Sequence, residues 1–161
     1  MRLSVEPVNE STRDAVLTLE VLPEQHRFIR QPSMMLLIAS IDPCRTAMAV
    51  LESSRVVGFF VLCRGEQIAH FASGPNTIGV FNFMIDAREQ GKGYGTETLA
   101  VLNEYLLGHH PEFTELNLTV DTANPRAYRA YLRAGFEDAG KLYHGGKAGP
   151  QHVLSLPLRR A

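Results

Sequence analysis

In the central part of the chain the hydrophobic period changes from that of a strand to that of a helix and back, and this change restricts the possible folds most strongly. Residues 78–85 are rich in β-branched and aromatic side chains, which favours a strand. Leu99, Leu102 and Leu106 then follow at helical spacing, and residues 116–121 alternate between apolar and polar side chains. A strand, a helix and a second strand in this order predict two parallel strands of one sheet.

The segments on either side of this unit predict further strands and short helices. A helix is expected to begin at Ser11, because Ser11 and Asp14 have the spacing of a capping box, and to continue to Pro23. Pro125 suits the first turn of a last helix, which Gly135 ends. The other predicted segments are a helix over 32–42 and strands over 3–8, 47–51, 56–62, 136–143 and 152–158. This order predicts an α/β fold, a mixed sheet with helices on both faces.

Length and charge exclude several classes of protein. The 161 residues suit one domain, so residues 1–161 are expected to form a single domain with a substantial core, since 45% of them are hydrophobic. The formal net charge of -1 disfavours a nucleic-acid-binding protein. The apolar stretches are shorter than the roughly 20 residues that cross a bilayer, and the first residues lack a signal-peptide pattern. We therefore expect a cytoplasmic protein without a membrane partner, in which Cys44 and Cys63 are reduced, buried thiols.

A glycine-rich segment lies between the strand of residues 78–85 and the following helix. Residues 90–96 read Gln-Gly-Lys-Gly-Tyr-Gly-Thr, and three alternate glycines at a strand-to-helix junction let backbone N–H groups converge on an anion. The positive end of the helix dipole adds to this attraction, so the segment predicts a phosphate-binding loop. A Walker A loop is excluded because Lys92 is followed by Gly93, and a Rossmann fingerprint is disfavoured because Thr96 replaces its third glycine.

Two motifs in this region resemble those of the Gcn5-related N-acetyltransferase superfamily. The pyrophosphate loop of that family, Gln/Arg-x-x-Gly-x-Gly/Ala, is matched by Gln90, Gly93 and Gly95. The family pattern Asn-x-x-Ala-x-x-x-Tyr-x-x-x-Gly-Phe is matched by Asn124, Ala127, Tyr131, Gly135 and Phe136. The resemblance implies about seven mostly antiparallel strands with a central, splayed parallel pair. It also implies an enzyme that moves the acetyl group of acetyl-CoA directly to an amine.

The resemblance places acetyl-CoA in the cleft where the strands of residues 78–85 and 116–121 splay apart. The pantetheine arm would pair with the first strand like an added strand, and the pyrophosphate would lie on the amides of the glycine loop. An asparagine at the start of the last helix would contact the cofactor near its sulfur, and no metal is implied. The residues expected to bind acetyl-CoA are Phe83, Met84, Ile85, Gln90, Gly91, Lys92, Gly93, Tyr94, Gly95, Thr96 and Asn124.

Tyr131 matches the general acid of the family. A phenol near the thioester sulfur can donate a hydrogen bond or a proton to the departing thiolate, which improves the leaving group. A backbone N–H at the splay would stabilise the developing oxyanion. Tyr128, one helical turn earlier, is expected to serve packing only.

The general base is not identified by the sequence. An amine with a pKa near 10 arrives protonated, so a base must take a proton before attack. Residues 78–85 contain no acid, and Asn82 can only hold a water. Glu66, His70 and His26 are candidates. The missing carboxylate leaves an alternative open, a non-catalytic acyl-CoA-binding sensor.

The acceptor is expected to be an amine of a small molecule, with a polyamine as one candidate, or of a peptide. The segment from Leu19 to Ile29 resembles the entry segment of bacterial diamine and polyamine acetyltransferases, although the resemblance is short. Carboxylates should line a polycation site, and Glu20, Glu24 and Glu66 are the acids available. Family resemblance and the apolar last strand predict a homodimer.

Overall fold

A seven-stranded sheet forms the centre of the computed structural model, which describes residues 3–72 and 74–159. The strands are β1 Leu3–Pro7, β2 Arg45–Glu52, β3 Arg55–Cys63, β4 Thr77–Ile85, β5 Glu115–Asp121, β6 Glu137–Tyr143 and β7 Gln151–Pro157. The α-helices of the described residues are α1 Glu10–Leu17, α2 Pro32–Ile41, α3 Tyr94–His109 and α4 Pro125–Arg133. None of them is long and apolar enough to cross a membrane. The predicted order of elements is confirmed.

The strands lie in the order β1-β2-β3-β4-β5-β7-β6, and β4 and β5 are the parallel neighbours. The other neighbouring pairs are antiparallel. The predicted mixed sheet and its central parallel pair are therefore confirmed. A parallel pair needs a long crossover connection, and α3 provides it here.

The first helix begins earlier and ends earlier than predicted. Its N-cap is Asn9, whose Oδ1 accepts from the amide of Ser11 at 2.8 Å, while Thr12 Oγ1 accepts from the amide of Asn9 at 3.0 Å. The capping box is therefore formed by Asn9 and Thr12 rather than by Ser11 and Asp14. The helix ends at Leu17, because the Thr18 side chain donates to the carbonyl of Ala15 at 2.8 Å and competes with continued helix.

The two faces of the sheet are covered by different helices. Leucines of α3, including Leu102 and Leu106, are fully buried on one face, where α4 also packs. On the other face Val16 of α1 and Met35 of α2 lie against β2 and β3. Successive side chains of each central strand point to opposite faces of the sheet, so each strand contributes to both buried faces. This alternation holds within β4 and within β5.

Strands β4 and β5 pair only over their first residues. The register runs from Thr77 opposite Glu115 to Gly79 opposite Asn117 and then stops. Beyond this point β5 remains paired with β7 as far as Asp121, whereas β4 remains paired with β3. The two parallel strands therefore separate, as the family resemblance implied.

A bulge in β4 accompanies this separation. Its register with β3 shifts between Phe59 and Val61, so that two residues, Asn82 and Phe83, face the single residue Phe60. Asn82 has a φ of 54°, in the left-handed region that asparagine tolerates better than most residues. Such bulges bend and twist a strand, which turns β4 away from β5.

The two cysteines differ in burial. Cys63 is buried at the end of β3, as expected, and burial raises the pKa of its thiol. Cys44 is a free thiol too, but it is only partly buried because it precedes β2 in a surface turn. The expectation of two buried thiols is therefore wrong for Cys44.

Candidate active site

The separated strands leave one edge of β4 open toward the cleft. The amide of Asp86 donates to the carbonyl of Val57 in β3 at 2.9 Å. Successive residues of an antiparallel strand turn their backbone groups to opposite sides, so Met84 also directs its backbone to β3. Phe83 and Ile85 direct theirs to the cleft. Of the three strand positions predicted to bind the cofactor, these two have the orientation that an added strand requires.

The glycine loop fits an anion at the start of α3. Gly91 and Gly93 have φ values of 84° and 82°, a region that favours glycine. Gly93 is the N-cap of the 16-residue helix α3 and supplies no capping side chain, so the first amides of α3 are left for a ligand. A Cβ at Gly91 or Gly93 would meet no atom within 4 Å, so the space above the loop is open. The carboxylate of Glu97 accepts from the amide of Leu3 at 2.9 Å and is turned away from this space.

The side chains of the loop are used to hold it against the β2–β3 hairpin. Lys92 Nζ donates to Glu89 Oε1 at 2.8 Å, and Arg55 binds the other oxygen of Glu89. Arg55 also binds Glu52, which accepts a hydrogen bond from the hydroxyl of Tyr94. The guanidinium of Arg55, followed by the Lys92 ammonium, lowers the pKa of Glu89 and keeps it charged. Lys92 and Tyr94 can therefore contact a phosphate through their backbone amides, whereas their side chains position the loop.

Sequence reasoning missed this network because its members are far apart in the chain. Glu52 and Arg55 flank the hairpin turn that precedes the loop by more than 30 residues, a separation at which spacing carries no signal. Among the members of the network outside the loop, Glu89 is the one close enough to the glycines in the chain for the sequence to suggest it.

Gln90 connects the loop to both sides of the cleft entrance. Its Nε2 donates to the carbonyl of Ile85 at 2.9 Å and to Gln25 Oε1 at 2.9 Å. In return, Gln25 Nε2 donates a longer hydrogen bond of 3.3 Å to Gln90 Oε1. The side chain of Gln90 therefore fixes the turn that leads from β4 into the loop.

Helix α4 carries the second motif to the same cleft. Asn124 is its N-cap, and Asn124 Oδ1 accepts from the amide of Ala127 at 3.3 Å. Tyr131 lies partly buried between Phe83 and Phe136, with ring centroids 6.4 and 5.7 Å away. Burial raises the pKa of Tyr131 to about 12. The phenol therefore stays neutral and can donate a hydrogen bond.

Tyr128 has the structural role that the sequence predicted for it. Its hydroxyl donates to Asp138 Oδ2 at 2.7 Å, and its ring centroid lies 4.1 Å from that of His152. The hydrogen bond with Asp138 raises the pKa of Tyr128. The hydroxyl of Tyr128 is therefore already hydrogen-bonded to β6.

The base candidates named from the sequence lie at exposed positions. Glu66, His70 and His26 are exposed, and His26 Nε2 is 3.9 Å from Glu20 Oε2. Both ends of the Asn82 side chain, which the sequence left able to hold a water, bind the backbone of Arg30. Asn82 Oδ1 accepts from the Arg30 amide at 2.8 Å, and Nδ2 donates to the Arg30 carbonyl at 3.0 Å.

The segment between the turn Pro23–Gln25 and α2 borders the cleft on the face of α1 and α2. Asn82 holds this segment to β4, and Gln90 holds the preceding turn to the glycine loop through Gln25. The segment helps to line a shallow, open pocket to which Glu20, His26, Arg30 and Met84 contribute. No group of three or more His, Cys, Asp or Glu that could hold a metal ion occurs among residues 3–72 and 74–159.

The open edge of β4, the glycine loop and Tyr131 together define a cleft of the kind expected from the two motifs. The family model for the acetyltransferase (GNAT) family matches residues 15–136. The chain belongs to this family, and the expectation of an acetyl-CoA-dependent N-acetyltransferase is confirmed at this level.

Several individual proteins are similar to the chain. The uncharacterized N-acetyltransferase YbbJ of Bacillus subtilis is 29% identical over 132 residues, which cover 81% of this chain and 82% of that protein. An aminoglycoside N(6')-acetyltransferase type 1 of Klebsiella pneumoniae is 30% identical over 109 residues, covering 58% of this chain and 54% of its own length. The spermine/spermidine N(1)-acetyltransferase of Bacillus subtilis is 26% identical over 148 residues, covering 91% and 95%.

Solved structures agree on the fold. The aminoglycoside acetyltransferase AAC(6')-Ib in complex with coenzyme A superimposes with a TM-score of 0.77 at 18% identity, covering 97% of this chain and 95% of that chain. The spermidine N-acetyltransferase of Vibrio cholerae in complex with CoA and spermine gives 0.71 at 14% identity, covering 97% and 95%. The predicted fold is confirmed.

Proposed function

We propose that this protein transfers the acetyl group of acetyl-CoA to a primary amine of a small, cationic molecule such as a polyamine or an aminoglycoside. The observation that carries the proposal is the separation of β4 from β5 directly beside the glycine loop and Tyr131. Acetyl-CoA supplies an activated acetyl thioester, and the chain must hold it, orient it and assist the departing sulfur.

The backbone of the chain is proposed to hold the cofactor. Amides of residues 91–96, with the dipole of α3 behind them, suit the doubly charged pyrophosphate. The backbone groups of Phe83 and the amide of Ile85, whose carbonyl already accepts from Gln90, suit the amides of the pantetheine arm, which would extend the sheet by one strand. Asn124, which caps α4 at the other wall of the cleft, is proposed to contact the arm nearer its sulfur.

Tyr131 is proposed to donate a hydrogen bond to the sulfur as negative charge develops on it. A phenol with a pKa of about 12 is a weaker acid than a thiol with a pKa near 8.5. The proton therefore favours the phenol at equilibrium, and the contribution of Tyr131 lies in stabilising the charge during bond cleavage.

The acceptor class rests on the relatives and on the open pocket. Two of the similar proteins are named for aminoglycosides and for spermine and spermidine, all of which carry several amines. The shallow pocket beside the cleft contains the carboxylate of Glu20, which is 70% exposed and lies 3.9 Å from His26 Nε2, so it can contribute negative charge toward a cationic acceptor.

The experiment follows thiol release from acetyl-CoA over a panel of spermidine, spermine, kanamycin, ribostamycin and a lysine-containing peptide, with calorimetry of acetyl-CoA binding in parallel. We expect binding and thiol release with at least one polyamine or aminoglycoside, and none with its fully N-acetylated form. Binding without thiol release for any amine would instead identify a non-catalytic acyl-CoA-binding sensor. Release with the peptide alone would move the acceptor class to proteins.

We further propose that residues 1–161 act as one domain, that the protein is cytoplasmic, and that it forms a homodimer. Light scattering at micromolar concentration tests the dimer, for which a mass of one 17.9 kDa chain would be the contrary result.

A further inference from the structure

Strand β5 presents a row of polar side chains to the cleft. Leu116, Leu118 and Val120 are buried on the face of α3 and α4, so the alternate residues lie on the opposite face. These residues are Asn117, Thr119 and Asp121, and they follow β5 from the last pair with β4 outward along the open cleft. Phe71 covers the inner end of this row, and the charge of Arg27, from the segment that helps to line the acceptor pocket, acts on its outer end.

Asp121 is the buried carboxylate of this row. It is 7% exposed, and its one hydrogen bond from a described side chain is a long one of 3.4 Å from Gln151 Nε2. No described cation lies within ion-pair distance of it, although the charge of Arg27, from the segment before α2, acts on it. A buried carboxylate is costly unless it is paired, so Asp121, with one long side-chain hydrogen bond, is suited to accept from a further donor or cation.

Asn117, at the inner end of the row, also has an acceptor oxygen without a hydrogen-bond donor among the described residues. Asn117 is 1% exposed, and its Nδ2 donates to the carbonyl of Phe71 at 3.1 Å. Its Oδ1 is buried and has no hydrogen-bond partner among the described residues. This oxygen is enclosed against Gly79, so Asp121 is the acceptor of the row that a ligand with N–H groups and positive charge can reach.

We propose that Asp121 binds the ammonium group of the acceptor and takes its proton before attack, an inference that rests on the proposed function. An N–H bond of the ammonium breaks, the proton passes to a carboxylate oxygen, and the nitrogen keeps the electron pair. That pair forms the C–N bond to the acetyl carbon as the C–S bond breaks. The nitrogen then loses a second proton to solvent, the thiolate takes one from solvent to become the thiol, and Asp121 releases its proton to solvent.

The two proposed proton-handling groups lie on opposite faces of the sheet. Tyr131 packs against Phe83 and Phe136 on the face of α3 and α4, whereas Asp121 lies on the other face. The amine can therefore approach from the acceptor side while the sulfur departs toward α4. Desolvation by burial raises the pKa of Asp121, which makes it a stronger base than an exposed aspartate.

The test compares Asp121→Asn with wild type as a function of pH, with thiol release by the amine that wild type uses best. At pH 7 an amine with a pKa near 10 is neutral in about one molecule in a thousand. We expect kcat/KM of Asp121→Asn to fall at least about 100-fold at pH 7. The variant should then gain about tenfold per pH unit toward pH 10, because the free amine no longer needs a base, while wild type changes less.

Asp138→Asn is the matched control. Asp138 lies on β6, which β7 separates from β5, and there it binds the hydroxyl of Tyr128 and the amide of Gly140 away from the cleft. Its variant should keep the kcat/KM and pH profile of wild type. Calorimetry supplies a second measurement, in which Asp121→Asn should weaken binding of the amine to the CoA complex about tenfold or more.

Melting temperatures separate this role from a structural one. Because burial raises the pKa of Asp121, its charged form destabilises the folded state above the ordinary pKa near 3.9, so Asp121→Asn should melt at or above the wild-type temperature at pH 7. A kcat/KM within threefold of wild type, or a loss that is constant with pH, would overturn the assignment while leaving the proposed function intact. Wild type without thiol release on any amine would refute the proposed function itself, and this assignment with it.

Discussion

Replacing Tyr131 by phenylalanine removes the one group on α4 that we expect to act on the departing sulfur. The ring would keep its contacts with Phe83 and Phe136, whose centroids lie 6.4 and 5.7 Å away. Burial alone raises the pKa of Tyr131, so the change breaks no hydrogen bond within the described chain. We therefore expect the free energy of unfolding to change by less than about 0.5 kcal/mol.

The effect on the rate should be much larger. Removing one hydrogen-bond donor to a developing anion costs about 10²–10³-fold in rate, and the low end applies here because a thiol is already a fair leaving group. A loss of about 100-fold in kcat, with an equal loss in kcat/KM, corresponds to about 2.7 kcal/mol of transition-state stabilisation. The dissociation constant for acetyl-CoA should change little.

Tyr128→Phe is the control, and it should show the opposite pattern. It removes the 2.7 Å hydrogen bond to Asp138, worth about 1 kcal/mol, which lowers the melting temperature of a chain of this size by about 2–4 °C. Its rate should equal that of wild type.

The assay is single-turnover thiol release with acetyl-CoA bound, so that the chemical step is measured, together with thermal unfolding of each variant. The reasoning is refuted if Tyr131→Phe reacts at the wild-type rate, or if Tyr128→Phe is the slow variant.

Three further predictions use matched pairs or a single charge. Gly93→Val, at a φ of 82°, should weaken acetyl-CoA binding at least tenfold by calorimetry, whereas Gly108→Val, on the same helix with equally open space, should bind as wild type does. Equal binding by both variants would contradict the loop assignment. Asn82→Ala should raise KM for the amine severalfold by freeing the backbone segment that borders the pocket. Asn103→Ala removes a similar pair of hydrogen bonds to a backbone residue near the C-terminus and should leave KM unchanged. An equal increase in KM for both variants would disprove the proposed role of Asn82. The hydrogen-bonded guanidinium beside Asp86 lowers the pKa of that carboxyl. The charged carboxyl therefore stabilises the folded state above the ordinary pKa near 3.9, and this stabilisation is lost as the pH falls through the lowered value. Asp86→Asn should therefore melt below wild type at pH 7, and the difference should vanish in acid; a difference independent of pH would count against this cause.

Local patterns were sufficient for most of the fold. The change of hydrophobic period between residues 78 and 121 predicted β4, α3 and β5 and their parallel pairing, because a strand and a helix place their buried residues at different spacings. The glycines of residues 91–95 identified the loop, because a left-handed backbone and an open anion site both need residues without a Cβ.

The beginning of α1 shows where local patterns fail. Ser11 and Asp14 had the spacing of a capping box, but Asn9 and Thr12 have it too, and both pairs lie within one turn. Competition between caps so close together depends on how the preceding strand enters the helix, which the sequence does not reveal.

What the sequence by itself determined was the order of elements, the family and the residues of two short motifs, all of which depend on neighbours a few positions apart. The tertiary structure alone decided where β4 leaves β5, since that depends on the register of three strands and on the bulge at Asn82. It also decided that Asp121 is buried at the cleft, because its environment is built from β7 and the segment before α2. Burial and charge at such a position arise from contacts between residues distant in the chain, and a local period carries no information about them.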